Sequence, residues 1–260
     1  MKANYHTHTY RCHHAWGSEW EYVEKAIEVG FKTLGFADHT PYPFPDGYRS
    51  RVRMLPEKLA HYIGTIEKMR ELYGDRIEIL CGLEAEYYPD LFPAYLEMLR
   101  ETPGVQYLIL SQHFYDNEYD SGVHMRLPEE DERPLAKYVD QVIAGIETGR
   151  FLYVGHPDLR NFSGERELYR KHMRRLCQAA KKQGMPLELN ILGYRENHWY
   201  PRADFWEVAG EEGCIAVLGS DAHRPEDVYN QEHVAAMKEL AKKYGVQIAE
   251  KLSLREDFLK

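Results

Sequence analysis

The stretch Tyr5-His6-Thr7-His8-Thr9-Tyr10-Arg11-Cys12-His13-His14 sits near the start of the chain and carries two imidazoles spaced i, i+2, His6 and His8. On a β-strand that spacing puts both rings on one face. Neutral imidazole is the commonest metal ligand, so the pair is a start for a metal site. The stretch is not the plain histidine run of a purification tag. Further candidates stand at the ends of short apolar runs: His39, Glu84, His113, His156, and Asp221 with His223. Imidazole and carboxylate without thiolate suit Zn, Mn or Fe in a catalytic site rather than a closed structural one. Several such ions held close together make a hydroxide from water and stabilise an in-line displacement at phosphorus. His61, His124, His172, His198 and His233 fall in expected helices or loops and read as solvated.

The elements that must position these residues alternate along the chain. Short strands are expected over residues 2–8, 33–37, 77–83, 107–112, 151–155, 186–190 and 215–219. Helices are expected over 18–29, 56–73, 91–100, 134–148, 165–183, 204–212 and 225–244. Ser18 and Glu21 form a capping box for the first of these, and Gly30 ends it. The strands are continuous apolar runs, as when both faces are buried, and alternating βα units mean a parallel sheet. In a parallel barrel the C-terminal strand ends share one face, where active sites are built. No Gly-x-Gly-x-x-Gly follows a strand, so a dinucleotide-binding sheet has no support. No linker or repeat divides the sequence, and residues 1–260 read as one domain.

The net charge of -9 argues against broad nucleic-acid binding. It leaves room for a phosphorylated substrate, because bound divalent metals supply local positive charge. No apolar signal core opens the chain and no apolar run approaches membrane-spanning length. The four cysteines, Cys12, Cys81, Cys177 and Cys214, are scattered and are expected as free thiols in a reducing cytoplasm. Composition says nothing of oligomeric state.

His6-Thr-His8, Cys12-x-His14, Asp38-His39, Glu84, Gln112-His113, Gly155-His156-Pro157-Asp158-Leu159 and Ser220-Asp221-Ala222-His223 together resemble the PHP (polymerase and histidinol phosphatase) superfamily, and within it the histidinol-phosphatase branch. The resemblance runs over nearly the whole chain. It implies an α/β fold, a distorted seven-stranded TIM-like (β/α) barrel with a trinuclear metal site. His6, His8, Glu84 and Asp221 would serve one metal. Glu84, His113 and His156 would serve a second, with Glu84 bridging. His14, His39 and His223 would serve a third. His13 reads as exposed or as a neighbour of a ligand.

Arg160 follows the His156 motif directly, and a guanidinium fork is the natural partner of phosphate. It is expected to be catalytic, stabilising charge on the equatorial oxygens. The stretch Glu188-Leu-Asn190-Ile-Leu-Gly193-Tyr-Arg195 resembles the family's Glu-x-Asn-x-x-Gly-x-Arg, which makes Arg195 a second phosphate candidate. Gln112 and Arg160 depart from the residues commoner in the branch.

The function so implied is a metal-dependent phosphomonoesterase using two to three divalent transition metals (Zn, Mn or Fe). It would release phosphate from L-histidinol phosphate, in histidine biosynthesis, by attack of a metal-bridging hydroxide. The acidic loop from Asp116 to Asp131 could meet the cationic part of that substrate. One alternative is a phosphoesterase of the same superfamily acting on a phosphotyrosyl protein, with Arg49, Arg51 and Arg53 as its basic surface, or on a nucleotide. Another is a non-catalytic metal-binding module.

Overall fold

The computed structural model describes every residue except Glu256. Eight parallel strands form one sheet in chain order: β1 (Ala3–Asn4), β2 (Thr33–His39), β3 (Glu78–Ala85), β4 (Tyr107–Leu110), β5 (Tyr153–Val154), β6 (Leu187–Asn190), β7 (Ile215–Gly219) and β8 (Gln247–Ile248). Parallel neighbours in sequential order require crossovers that all lie on one face of the sheet. The helices that supply them are α1 (Glu19–Glu28), α2 (Leu59–Tyr73), α3 (Phe92–Glu101), α4 (Glu132–Glu147), α5 (Arg166–Lys182), α6 (Ile191–Arg195), α7 (Ala203–Glu212) and α8 (Gln231–Lys243). At the start of α1 the Ser18 backbone N–H donates to the Glu21 carboxylate, as the capping box predicts, and the Ser18 hydroxyl donates to the same carboxylate. No described helix is long and apolar enough to cross a membrane.

The sheet is curled, with a buried apolar cluster on each face. Leu34, Phe36, Leu108 and Leu110 face the helices and join the larger cluster. Their strand neighbours Ala37, Tyr107 and Ile109 face inward with Tyr5, Leu80, Tyr153 and Val217. This is the period-two alternation of a strand buried on both sides. Tyr107 fills the inside. Its hydroxyl donates to the carbonyls of Tyr5 at 2.6 Å and Phe36 at 3.1 Å. Its ring lies over Gly82, its register partner on β3, where an added Cβ would come within 2.3 Å.

Two expectations about the sheet are corrected. It has eight strands rather than seven, because β8 adds to β7 through Ile215↔Gln247 and Ala216↔Ile248. It is also open rather than a closed barrel: among the described residues no ladder joins β8 back to β1. One isolated bridge, Thr7↔Ala222, brings the chain just past β1 beside the chain just past β7. His8 N–H donates to the Ala222 carbonyl at 2.9 Å there. That bridge carries His6 and His8 to Asp221 and His223.

Candidate metal centre

The candidate ligands stand where the strands run out. His39 ends β2 in register with Glu84 on β3. His113 lies just beyond β4, His156 just beyond β5, and Asp221 with His223 just beyond β7. His156 and Asp221 have φ of 24° and 47°. Such left-handed backbone in non-glycine residues is costly and clusters at functional sites, where it aims a side chain that regular strand geometry would not.

Glu84 lies at the centre. Its Oε1 is 3.3 Å from His6 Nε2, 2.9 Å from His156 Nε2 and 3.6 Å from His113 Nε2. Its Oε2 is 2.8 Å from His39 Nδ1 and 3.5 Å from His8 Nε2. Asp221 Oδ1 is 3.0 Å from His8 Nε2 and 3.6 Å from His6 Nε2. Five groupings among the described residues hold ligand atoms within 4.8 Å of one another: His6 with His8 and Asp221, His39 with Glu84 and His113, His8 with His39 and His223, and two that include Cys12, one of them with His8 and Asp38. His14 and His223 group instead with Cys12, a thiol that spacing alone had not singled out as a ligand atom. His13 is exposed, with φ 70°.

The far sides of the rings are anchored. His6 Nδ1 pairs with Glu188 at 2.7 Å, His8 Nδ1 with Asp38 at 3.4 Å and His113 Nδ1 with Glu86 at 3.0 Å. His14 and His223 direct Nδ1 to the carbonyls of Cys12 at 2.7 Å and Asp221 at 3.1 Å. Partners of this kind fix the tautomer and leave the other nitrogen free for a cation. Glu188 also accepts the His156 N–H at 2.9 Å and the Asn190 amide at 2.9 Å. Gly219 leaves it room, since a Cβ there would lie 1.8 Å from the Glu188 carboxylate. Glu188, Asp38 and Glu86 had no such role from sequence. Their signal is their place in or beside the same strand ends.

Burial raises the energy of every charge in this cluster, and the neighbours decide the outcome. Burial would push the carboxyls of Glu84 and Asp221 up. The surrounding imidazoles, His39 and His6 foremost, outweigh it and hold both well below their ordinary values. Burial opposes protonation of His6 and His8. Glu188 and Asp221 outweigh it for His6, and Asp221 and Asp38 for His8, so both are raised well above 6.5. For His39 and His223 burial wins, with the charge of His8 adding to it. His39 falls well below its ordinary value, and His223 is pushed down to about 3.

The donor set fits divalent cations. The atoms that face one another inside the cluster, His6 Nε2, His8 Nε2, Glu84 Oε2 and Asp221 Oδ1, are buried without a hydrogen-bond partner, as is His156 Nδ1. Buried polar atoms are rarely left so. A cation among them would satisfy several at once.

The cluster floors a cavity of about 680 Å³. Arg195 lines it, tied to Asp227 at 3.3 Å and Glu196 at 3.1 Å, with a buried Nη1 that has no partner. Arg160 does not line it. Its buried guanidinium turns away, and Nη1 donates to the carbonyls of Met125 at 2.9 Å and Leu127 at 2.5 Å. Adjacency to His156 fixed its position along the chain but not its direction. Arg126, from the loop that Arg160 holds, lines the cavity instead.

Three acids of that loop are committed elsewhere: Asp116 to Lys137, Glu118 to Arg53 and Asp131 to the start of α4. Arg53 is buried against Glu86 and Glu118, and Arg49 is tied to Glu57. Of the histidines read as solvated, His124 and His198 line the cavity, and His172 is buried against Glu132 at 2.9 Å.

The PHP domain family model matches residues 4–191. A probable histidinol-phosphatase of Deinococcus radiodurans is 31% identical over 235 residues, covering 86% of each chain. The histidinol-phosphatase of Bacillus subtilis is 27% identical over 258 residues, covering 88% of this chain and 96% of that one. The fold is shared with the histidinol phosphate phosphatase of Lactococcus lactis, solved with zinc, L-histidinol and phosphate. The TM-score is 0.73 at 19% identity, over 98% of this chain and 99% of the other.

Proposed function

The chain belongs to the PHP domain family, and on that premise we propose that it is a metal-dependent phosphatase that converts L-histidinol phosphate to L-histidinol and phosphate. The observation that carries this reading is the convergence of five imidazole nitrogens on the two oxygens of Glu84 at the floor of an open cavity. Residues 1–260 act as one domain in this reading, which the single sheet through all eight strands supports.

Two to three divalent ions, Zn, Mn or Fe by donor type, would be held by His6, His8, Glu84 and Asp221, by Glu84, His113 and His156, and by His14, His39 and His223. The grouping of His6 with His8 and Asp221 supports the first set, while His39 groups with Glu84 and His113 and, separately, with His8 and His223. Such ions supply Lewis acidity, which activates water and neutralises phosphate charge. The chain's own residues do the rest. Glu188, Asp38 and Glu86 orient the imidazoles, so that little reorganisation is left for the reaction itself. Arg195 offers its free Nη1 to a phosphate oxygen. Trp16, Leu159, Leu192 and Tyr200 give the cavity apolar walls suited to a ring on the leaving alcohol. The four buried, unpaired cysteines fit a reducing cytoplasm. A phosphotyrosyl-protein surface over the 48–53 loop is left with Arg51 as its one unpaired arginine among the described residues, since Arg53 is buried and Arg49 is tied to Glu57.

The test is a steady-state comparison of the metal-loaded enzyme on histidinol phosphate, a phosphotyrosyl peptide and a nucleoside bisphosphate. Histidinol phosphate should lead in kcat/KM by at least about a hundredfold. A lead for either of the others would replace the substrate.

A further inference from the structure

Five arginines line the cavity. Arg53 and Arg195 are each held by two carboxylates. Arg224 lies over the Trp16 ring at 5.1 Å. Arg51 and Arg126 have no carboxylate partner among the described residues. They differ in how their backbone is held. Arg160 Nη1 takes the carbonyls on both sides of Arg126, those of Met125 and Leu127. Asn161 takes the Arg126 carbonyl itself with its side-chain amide at 3.1 Å, and the Met125 carbonyl with its backbone N–H at 3.3 Å. Met125 N–H in turn donates to the His113 carbonyl at 2.8 Å. An exposed loop has thus been fixed from two directions, by a candidate ligand on one side and by the residues after the His156 motif on the other.

Arg160 also lies over the Tyr115 ring at 5.3 Å, but its hydrogen bonds go to the two carbonyls, and a buried guanidinium held this way is costly because its charge is desolvated without a close carboxylate. Its nearest, Glu129, is 4.0 Å away. Such a device makes sense where the held loop must keep a fixed place. The one side chain between the two clamped carbonyls is a cation, and it lines the cavity described above. His198 and Tyr200 line the same cavity.

We propose that Arg126 contacts the substrate's phosphoryl group from the cavity rim, and that Arg160 and Asn161 are positioning residues that act through it. The proposal rests on the phosphatase reading above and adds a second guanidinium to the Arg195 of that reading. The chain orders its machinery economically: the segment that ends β5 supplies His156 toward the floor and, four and five residues later, the two clamps that aim Arg126.

The experiment uses the metal-loaded enzyme and two probes, histidinol phosphate turnover and the affinity for inorganic phosphate by calorimetry. Arg126→Ala should lower kcat/KM by about a hundredfold and weaken phosphate binding, with metal content unchanged. Arg126→Lys should recover part of both, since it keeps charge but not the planar fork. Asn161→Ala leaves the buried core intact and should lower kcat/KM in the wild-type background but not in the Arg126→Ala background. Arg160→Ala should show the same non-additivity if it folds, and Arg160→Lys should rescue it in part. Phosphate affinity within twofold of wild type in Arg126→Ala would overturn the contact. Losses that multiply in the Arg126→Ala, Asn161→Ala double variant would overturn the positioning role. If the wild type failed to turn over histidinol phosphate, the substrate reading would fall, and the inorganic-phosphate arm would still decide Arg126.

Discussion

Glu84 concentrates the chemistry of single residues. It is buried, ionised against the cost of burial, and faced by imidazoles from three strand ends and the loop past β1. Glu84→Gln keeps its shape and removes its charge, so it should lower the metal content of purified protein by at least about one ion per chain, with circular dichroism unchanged. Wild-type metal content and turnover in that variant would remove Glu84 from the centre. The histidines around it were legible because each follows an apolar run, a pattern that survives in one dimension. Their orienting partners were not. Glu188 meets His6 across 182 positions, and nothing in its sequence surroundings separates a buried carboxylate from a surface one. Arg160 shows the same limit from the other side. Its place beside the His156 motif was readable, but the direction of its side chain depends on the carbonyls of a loop more than thirty residues away.

At the scale of elements, the βα alternation was readable because strands buried on both faces are apolar throughout, and because Ser18, Gly30 and Pro56 mark helix ends. What escaped were pieces too short to carry a period: β8 at two residues, and α6, which starts directly from β6 with Asn190 as its cap. Strand β5 is ordered by only two ladder partners on β4, so the five-residue apolar run yields a two-residue strand. The packing inside the sheet was also invisible. Tyr107 and Gly82 are 25 residues apart in sequence, and only the register of β3 on β4 makes one fill the space the other leaves. Gly82→Ala drives a methyl into that ring and should destabilise the fold by about 1–3 kcal/mol, read as a lower urea midpoint at constant slope. Because Tyr107 holds the Tyr5 carbonyl one residue before His6, metal content should fall too. An unchanged midpoint would mean the ring lies elsewhere.

For the whole molecule, folding and the cation site are one problem, since the sheet gathers buried charges of both signs onto one end. The stripped protein holds His6 and His8 protonated between ionised carboxylates. A histidine whose value is raised on folding contributes stability that is fully present below its ordinary 6.5 and is lost as pH rises through the raised value. Glu84 and Asp221, lowered on folding, contribute stability that is present above the ordinary carboxylate range, so their share is constant at and above neutrality. The stripped protein should therefore lose thermal stability as pH rises above about 6.5. Cations require the same imidazoles unprotonated, so their binding strengthens over that range and releases protons. The gap in Tm between metal-loaded and chelator-stripped protein should widen steadily from about pH 6 to pH 9, and metal uptake near neutral pH should acidify a weakly buffered solution. A gap that stays level or narrows, with no proton release, would mean that His6 and His8 are already neutral in the stripped protein and that the carboxylates alone hold the site together.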